Sequence, residues 1–261
     1  MPPSLSLVAT ALNERELIEE FVEKSLRDLQ AVTSDFEVVV VDDGSTDGTS
    51  EILDALSERH PRLKVIHNGV TLGTGRAYIP GFQAASKDVV FNNTVDMFFD
   101  TADLPRLLPL LEDVDVLSCY RTDLTANSVY QKLLTVVNRE LVHVLFGMGL
   151  TAYQTLQFHP REFIQGVCIE ARSSFISPEL LYKAKCADLR IGEAPIVFHP
   201  RRKGTPKGGN PRGVYRSIRD ILKYWVRWRV LNRPMPVTHR TPSDFGGLSR
   251  QQVAVASSAE A

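Results

Sequence analysis

The stretch 38–49, which reads VVVVDDGSTDGT, limits most strongly how this chain can fold. Four consecutive valines favour a strand that is covered on both faces of a sheet, and then Asp42 and Asp43 end the apolar run. In an open α/β sheet the carboxyl ends of the strands form the ligand edge, where a carboxylate can bind a nucleobase or a ribose. The same letters also fit a turn and a helix N-cap, with Ser45 and Asp47 in those roles, but a turn needs only one of the two aspartates.

Short apolar runs alternate with helical periodicity from residue 4 to about 118, which predicts a doubly wound, mostly parallel sheet flanked by helices. The predicted strands are Leu5–Thr10, Phe36–Val41, Leu63–His67, Val89–Asn92, Asp115–Cys119 and Ala194–His199. The predicted helices are Glu14–Gln30, Thr49–Glu58, Thr74–Ser86, Ala102–Leu111, Ser128–Phe146, Pro178–Ala187 and Val214–Leu231. The segment between the helices that end at Phe146 and begin at Pro178 is predicted to be irregular.

Bulk properties exclude some classes of protein. Lys and Arg total 30 against 31 Asp and Glu, so the net charge of -1 gives no electrostatic basis for binding nucleic acid. The chain has no apolar run of about 18 residues and no basic, apolar leader at its start, so we expect a cytoplasmic protein. Three cysteines without metal-ligand spacing are predicted to be buried free thiols: Cys119, Cys168 and Cys186.

A second polar cluster carries a family resemblance. The segment SLVATALNERE is a predicted strand that ends at Asn13 and Glu14, just before a helix. A strand ending in ALNE, followed later by VVVDDGSTDGT, resembles the GT-A domain of family 2 glycosyltransferases. The similarity is greatest to the branch of dolichyl-phosphate mannose synthase and the bacterial polyprenyl-phosphate sugar transferases, and it extends from residue 5 to about 231. The resemblance implies a Rossmann-like GT-A fold and an enzyme that transfers a hexose.

This resemblance implies a donor site at the sheet edge, where Ala11, Glu14 and Asp42 hold the base and ribose. The stretch NGVTLGTGRA at 68–77 resembles a family turn whose glycines let the backbone approach the donor. Arg76 in this turn either faces a phosphate or is solvated. The full set of implied nucleotide-sugar contacts is Ala11, Glu14, Asp42, Asp43, Gly73, Arg76 and Asp96.

The metal motif departs from the family pattern. Relatives usually carry Asp-x-Asp after the strand, whereas here Thr94 replaces the first Asp, Asp96 is kept, and Phe98 stands where Gln is common. One carboxylate with phosphates and water can complete the octahedron of Mg²⁺. The resemblance therefore implies Mg²⁺ or Mn²⁺ at Asp96, with metal-free donor binding or weak activity as alternatives.

Cations downstream complete the implied site. Arg121 ends a segment that resembles the family's "DVV.GSR", and the family's lid motif falls on Arg201, Gly204 and Lys207. The resemblance implies that Asp96 with a metal, Arg201 and Lys207 neutralise the leaving diphosphate during catalysis. The implied acceptor and phosphate contacts are Arg121, Lys132, Arg201, Arg202 and Lys207.

The acceptor is the open question. Ala152 stands where many relatives carry Asp, which is tolerable if the acceptor is a polyprenyl phosphate, because that group is already ionised near neutral pH. A hydroxyl acceptor would need a general base, and the only weak candidates are Glu170, His159 and Asp123. We therefore predict inverting transfer from a nucleotide-diphosphate sugar, of the GDP-mannose or UDP-hexose type, to a polyprenyl or dolichyl phosphate. A transferase acting on a soluble hydroxyl and a non-catalytic nucleotide-sugar-binding protein are the alternatives.

We expect one domain over residues 1–233. Its first half, 1–123, would bind the nucleotide-sugar, its second half, 124–233, would supply the acceptor side, and 234–261 would be a disordered tail. The amphipathic helix Val214–Leu231 has a basic face with flanking Trp and Tyr, which suits peripheral contact with the inner face of a membrane. An ordinary helix packed on the domain fits the same pattern.

Overall fold

The computed structural model describes residues 2–73, 75–95, 99–122, 129–153, 155–197 and 211–231, without the side chains of 129–133 and 211–213. Several predictions concern groups outside the described residues: Asp96, Asp123, Lys132, Arg201, Arg202, Lys207 and the tail 234–261.

The described residues form a seven-stranded sheet with the order β3-β2-β1-β4-β6-β5-β7. The strands are β1 (Leu5–Ala11), β2 (Phe36–Asp42), β3 (Leu63–His67), β4 (Val89–Thr94), β5 (Val116–Arg121), β6 (Gln157–Pro160) and β7 (Ile191–Ile196). Strand β6 is antiparallel to both of its neighbours, and every other pairing is parallel. Two antiparallel pairings in succession restore the direction, so β5 and β7 run the same way as β1.

Helices cover both faces of the sheet. They are α1 (Ile18–Val32), α2 (Thr49–Arg59), α3 (Tyr78–Ala84), α4 (Leu104–Leu107, between 3₁₀ turns), α5 (Val129–Phe146), α6 (Arg161–Gly166), α7 (Ile176–Cys186) and α8 (Pro211–Trp225). Helix α8 continues as a π-helical turn at Val226–Val230. This is the predicted α/β class, with the amphipathic helix at its C-terminal side.

Alternating side chains of the strands divide the core into two layers. On one face Leu7 and Val38 pack with α1, α2 and α4, and on the other Val8 and Val39 pack with α3 and α5–α8. Gly81 brings α3 close to the sheet, since a Cβ there would lie 2.5 Å from Cγ1 of Val8. The two buried layers hold the strands, and thus the ends of the strands, in fixed register.

The main error in the predicted elements lies in the segment that was expected to be irregular. It contains β6 and α6, and β6 inserts between β4 and β5. A strand of four residues that includes His159 and ends at Pro160 shows too little periodicity to be recognised. The thiol prediction is also wrong in part, because Cys119 is buried but Cys168 and Cys186 are exposed.

Of the helices in the described part of the chain, none has the length and apolar run that a bilayer-spanning segment needs.

Candidate functional site

The carboxyl ends of three adjacent parallel strands form the candidate site, which we call the ligand edge. In the register, Ala11 at the end of β1 lies opposite Asp42 at the end of β2, and Thr10 lies opposite Thr94 at the end of β4. The backbone continues this pairing, since the Asp43 N–H donates to the Ala11 carbonyl at 2.8 Å. The structure thus brings Ala11, Asp42 and Asp43 together, and Asp96 follows β4 by two residues in the sequence.

Asp42 is 2% exposed and its carboxylate is held by internal donors. The backbone N–H of Ser45 donates to Oδ1 at 3.0 Å, and Ser50 Oγ and His67 Nδ1 lie 2.5 and 3.1 Å from Oδ2. Burial opposes ionisation of this group, but the hydrogen bonds outweigh it, so the pKa of Asp42 is lowered. An ionised carboxylate therefore lies at the end of β2, on the ligand edge.

Asp43 organises the turn that follows β3. Its Oδ1 accepts from Asn68 Nδ2 at 3.0 Å and from the Leu72 N–H at 2.8 Å, and its Oδ2 accepts from the Gly73 N–H at 2.9 Å. Gly73 has φ of 86°, a left-handed conformation that favours glycine. Turn chemistry thus accounts for Asp43, and the second aspartate of the pair has a defined local task.

Hydrogen bonds join the loop after β1 to the loop after β2. Asn13, at φ 53°, accepts from the Thr46 N–H at 2.8 Å, and its own N–H donates to Ser45 Oγ at 2.9 Å. The Glu14 N–H donates to Thr49 Oγ1 at 3.0 Å. The side chain of Glu14 is half-buried at this rim. Asp47 also bridges the loops, because it accepts from the N–H groups of both Arg15 and Thr49.

Arg76 lies in a cavity of about 250 Å³ beside the turn that Asp43 holds. The cavity is lined by Leu72, Arg76, Arg172, Ser173, Arg216, Arg219 and Asp220, and we call it the arginine cavity. Gly75 permits this arrangement, since a Cβ there would meet the Ser173 carbonyl oxygen at 2.6 Å. The structure therefore places Arg76 among other guanidinium groups, where an anion would be stabilised.

Arg121 ends β5, which runs parallel to β1, so it opens on the ligand edge as well. It lies three strands from β1, which at the usual spacing is roughly 14 Å along the edge. Strand β7 ends at Ile196 on the same side, shortly before the predicted lid cations Arg201, Arg202 and Lys207. Arg121 and the end of β7 thus lie on the ligand edge, but on the side away from Asp42.

Two candidate bases for a hydroxyl acceptor are occupied elsewhere. His159 pairs with Val90 near the amino end of β4 and is 2% exposed, and burial lowers its pKa to about 3. Glu170 forms an ion pair with Arg227 at 2.6 Å and lies 3.6 Å from the buried Lys183. His159 is therefore on the wrong edge of the sheet, and Glu170 is committed to a structural network.

That network fixes the loop before α7. Lys183 and Glu179 are both 0% exposed and lie 2.6 Å apart, and Glu179 also accepts from the N–H groups of Glu170 and Ala171. Tyr224 of α8 donates its hydroxyl to the Glu170 carbonyl at 2.6 Å. Helices α7 and α8 are thus tied to the segment that precedes Arg172.

Within the described ranges, no group of three or more His, Cys, Asp or Glu side chains is arranged to hold a metal ion. The described part of the ligand edge therefore contains no complete metal site, and the single carboxylate of the metal motif, Asp96, lies outside it.

The family model for glycosyl transferase family 2 matches residues 6–162, which run from β1 to β6 and include the carboxyl ends of β1, β2 and β4. The chain belongs to this family.

Two curated relatives match most of this family 2 chain, but the match covers only part of their own length. It is 27% identical over 240 residues to a glycosyltransferase of Haloferax volcanii, which covers 88% of this chain and 38% of that protein. It is 27% identical over 239 residues to the dolichol-phosphate mannosyltransferase of Pyrococcus furiosus, covering 86% of this chain and 64% of that one. The chain thus spans between about two fifths and two thirds of the length of these curated relatives.

A solved structure shares the fold of this family 2 chain. Glucosyl-3-phosphoglycerate synthase from Mycobacterium tuberculosis, in complex with Mn²⁺, UDP-glucose and phosphoglyceric acid, aligns with a TM-score of 0.64. The sequences are 21% identical, and the alignment covers 89% of this chain and 81% of that chain. The GT-A fold predicted from the sequence is confirmed.

Sequence reasoning missed three arginines of this family 2 chain. Arg172, Arg216 and Arg219 line the cavity with Arg76, whereas the helix pattern placed Arg216 and Arg219 only on the basic face of the amphipathic helix. Only the fold brings these segments together, and no local motif marks them. A useful signal was Gly75, a glycine that a close backbone approach requires.

Proposed function

We propose that this protein transfers a sugar from a nucleotide-diphosphate sugar to a polyprenyl phosphate, with inversion at the anomeric carbon. One observation carries the donor part: Ala11 and the ionised Asp42 lie side by side at the ligand edge, with Glu14 on the adjoining rim. Asp42 can accept hydrogen bonds from a base N–H or a ribose hydroxyl there.

Two observations support a phosphate acceptor. The candidate bases His159 and Glu170 are committed elsewhere, and Ala152 leaves its own position without a carboxylate. A phosphate monoester has a second pKa of about 6 and is already a nucleophile at neutral pH. In the reaction, a phosphate oxygen bonds to the anomeric carbon while the bond from that carbon to the diphosphate breaks. The nucleoside diphosphate then leaves with the bonding electron pair.

Charge on the leaving group must be neutralised, and we propose Arg201 and Lys207 for that role, after the end of β7. We also propose that Arg121, Lys132 and Arg202 contact phosphate. The position of β7 supports the proposal, because its carboxyl end opens on the same edge as Asp42.

We propose that a divalent cation, Mg²⁺ or Mn²⁺, is held by Asp96 together with the donor diphosphate. One carboxylate with phosphate oxygens and water is a donor set that Mg²⁺ accepts. When bound, the cation would neutralise charge on the diphosphate. We expect Mn²⁺ to tighten GDP or UDP binding to the wild type but not to Asp96→Asn, as measured by calorimetry. Asp100→Asn removes a nearby carboxylate charge but keeps an oxygen that can cap the Ala102 N–H; it is the matched control and should retain the Mn²⁺ effect.

Helix α8 supports peripheral contact with a membrane. Its inner face packs through Ile221, Tyr224 and Trp228. Its outer side exposes Tyr215, Leu222, Val226, Val230 and Leu231 among Lys and Arg side chains. Such a face suits an anionic bilayer surface. We expect sedimentation with vesicles rich in anionic lipid, weaker in Leu222→Asp, and none with zwitterionic vesicles.

The transfer assay tests the proposed function. Purified protein is incubated with labelled GDP-mannose or UDP-hexoses, Mn²⁺, and either a short-chain prenyl phosphate or a panel of hydroxyl acceptors. We expect a prenyl-phosphate sugar of inverted anomeric configuration. Transfer to hydroxyl acceptors alone would favour the soluble-acceptor alternative. Donor binding without transfer or hydrolysis would favour a non-catalytic binding protein, the alternative that Thr94, Phe98 and Ala152 motivate.

A further inference from the structure

We propose that the arginine cavity, where Arg76, Arg172 and Arg216 meet beside the ligand edge, binds a phosphate monoester. This deepens the proposed function, on which its link to the acceptor rests, whereas the binding itself can be measured without any transfer.

The cavity is lined by four arginines and one aspartate, so its excess of positive charge favours an anion. Arg219 donates to Asp220 Oδ1 from Nη2 at 3.0 Å and from Nε at 3.3 Å, so these two charges largely offset each other. The guanidinium groups of Arg76, Arg172 and Arg216 have no hydrogen-bond or ion-pair partner among the described residues. Three unneutralised guanidinium groups around one space repel each other, and a phosphate monoester brings a charge of about −1.5 to −2 with three strong acceptor oxygens.

The size of the cavity restricts what enters it. Pockets for drug-sized ligands run from about 300 to 1,000 Å³, and this cavity has about 250 Å³. It therefore suits one phosphate group with a few attached atoms, and a whole nucleotide-sugar is too large. Arg172 and Arg216 are exposed, so the rest of a ligand can leave the cavity on the solvent side.

The arginines stand on backbone that is held in place. Asp43 binds the N–H groups of Leu72 and Gly73, just before Arg76. The buried network around Glu170 fixes the segment before Arg172, and the close approach of Gly75 to Ser173 joins the two segments. A fixed backbone limits the positions that these side chains can take, which lowers the entropic cost of binding an anion.

Asp220, a hydrogen-bond acceptor in the cavity, offers a way to distinguish a soluble phosphate from a prenyl phosphate. Asp220 is 2% exposed, and its Oδ2 has no hydrogen-bond partner among the described residues. This oxygen can accept from a hydroxyl beside the phosphate, which a soluble sugar or glycerol phosphate carries and a prenyl phosphate lacks. The chemistry that both sources share is the phosphate monoester itself.

Calorimetric titration of the full chain tests the proposal at fixed ionic strength, with inorganic phosphate, glycerol 3-phosphate and a short-chain prenyl monophosphate as probes. We expect the double variant Arg172→Gln/Arg216→Gln to bind each monophosphate more than about tenfold more weakly, because two charged hydrogen bonds are lost. Binding of GDP or UDP should change less than about twofold, since the base and ribose are held at Asp42.

Lys223→Gln, on α8 but outside the cavity lining, is the matched control and should bind like the wild type. Both substituted arginines are exposed, so the melting temperature should not change.

Wild-type affinity in the double variant, or no monophosphate binding by the wild type, overturns the proposal. An equal loss of nucleoside diphosphate also overturns it, because the cavity would then belong to the donor site. If Asp220→Asn weakens glycerol 3-phosphate alone, the cavity takes a soluble phosphate. If prenyl phosphate binds most tightly and Asp220→Asn leaves it unchanged, the cavity takes a lipid headgroup. Arginine-dependent binding without transfer contradicts only the proposed function, and transfer that the double variant leaves intact contradicts only the link to the acceptor.

Discussion

The two ends of strand β2 each carry a buried carboxylate. Glu37 near the amino end is 4% exposed and Asp42 at the carboxyl end is 2% exposed. Glu37 accepts from Ser6, Ser86 and Lys64, and Asp42 accepts from Ser45, Ser50 and His67. In both cases burial opposes ionisation and the hydrogen bonds outweigh it, so both pKa values are lowered. Neither burial nor a lowered pKa distinguishes a site from a structural contact in this sheet.

Position in the topology does distinguish them. At the amino end, the Ser86 N–H binds Glu37 at 2.5 Å and the Lys87 N–H binds Ser6, so the chain closes over the carboxylate. At the carboxyl end, Asp42 is flanked by the loop after β1 and by the turn that leads to the arginine cavity. Ligands of open α/β sheets bind at the carboxyl ends, which is why we propose that the donor binds at Asp42 and that Glu37 has a structural role.

The largest expected effect is on nucleotide binding, which should depend on Asp42 and not on Glu37. A nucleoside diphosphate at 100 times its dissociation constant should stabilise the wild type by about 2.7 kcal/mol. Asp42→Asn should abolish most of that stabilisation, because the side chain loses its charge and one of the two oxygens that can accept from a base N–H or a ribose hydroxyl. Glu37→Gln should keep it, although each variant costs about 1–3 kcal/mol of stability in internal hydrogen bonds. Thermal unfolding with the tighter binder of GDP and UDP provides the measurement. A retained shift in Asp42→Asn would move the base site elsewhere.

His159 provides a pH test at the amino side of the sheet. Its folded pKa of about 3 is below the ordinary 6.5, so the unfolded chain binds the proton first and stability falls as the pH drops below 6.5. At pH 5 the loss should be about 2 kcal/mol relative to pH 7.5. His159→Gln should show a shallower fall in urea unfolding between those pH values. Equal slopes in the two proteins would mean that His159 is not held neutral by burial.

Asp43 tests how the ligand edge is coupled to the arginine cavity. Asp43→Asn should cost about 1–2 kcal/mol, because Leu72 and Gly73 lose a charged acceptor for their N–H groups. Hydrogen exchange should therefore accelerate at these two amides, while the amides of β3 should remain as protected as in the wild type. Unchanged exchange at Leu72 and Gly73 would show that the turn is held by other contacts.

The smallest expected effect concerns His67, which lies 3.1 Å from Asp42 and 2.9 Å from Asp54. Burial lowers the pKa of His67, but the two carboxylates outweigh it and the pKa is raised. Its contribution is thus present below about pH 6.5 and lost as the pH rises through the folded pKa. His67→Gln should cost less than about 1 kcal/mol at pH 6, because the side chain is 40% exposed and screened, and nothing measurable at pH 9. A cost that grows with pH would have the wrong sign.

Much of the fold could be predicted because the parallel strands are continuous apolar runs. The predicted strand Leu63–His67 has the observed bounds, and those ending at Thr10, Val41 and Asn92 extend by one or two residues. Some helix boundaries were wrong where tertiary contacts compete with the helical pattern. The helix predicted from Glu14 begins at Ile18, because Asn13 and Glu14 form hydrogen bonds with the neighbouring loop. Strand β6 was missed because four residues between two neighbours depend on the sheet for their conformation.

Asp42 could be predicted from the sequence, and the arginine cavity could not. Asp42 ends a strand, so its position at the ligand edge could be predicted from local sequence and sheet topology. The arginine cavity combines side chains from three segments that the fold alone brings together: Leu72 and Arg76, Arg172 and Ser173, and Arg216, Arg219 and Asp220. The sequence placed Arg216 and Arg219 only on the basic face of a helix, because amphipathic periodicity describes one helix and not the loops that pack on it.

A structure of the protein with a bound nucleoside diphosphate tests the central claim most directly. We expect the base and ribose at the carboxyl end of β2, with Asp42 and the backbone of Ala11 within hydrogen-bond distance. Density for the nucleotide away from these residues, whether beside Glu37 or on another face of the sheet, would contradict it.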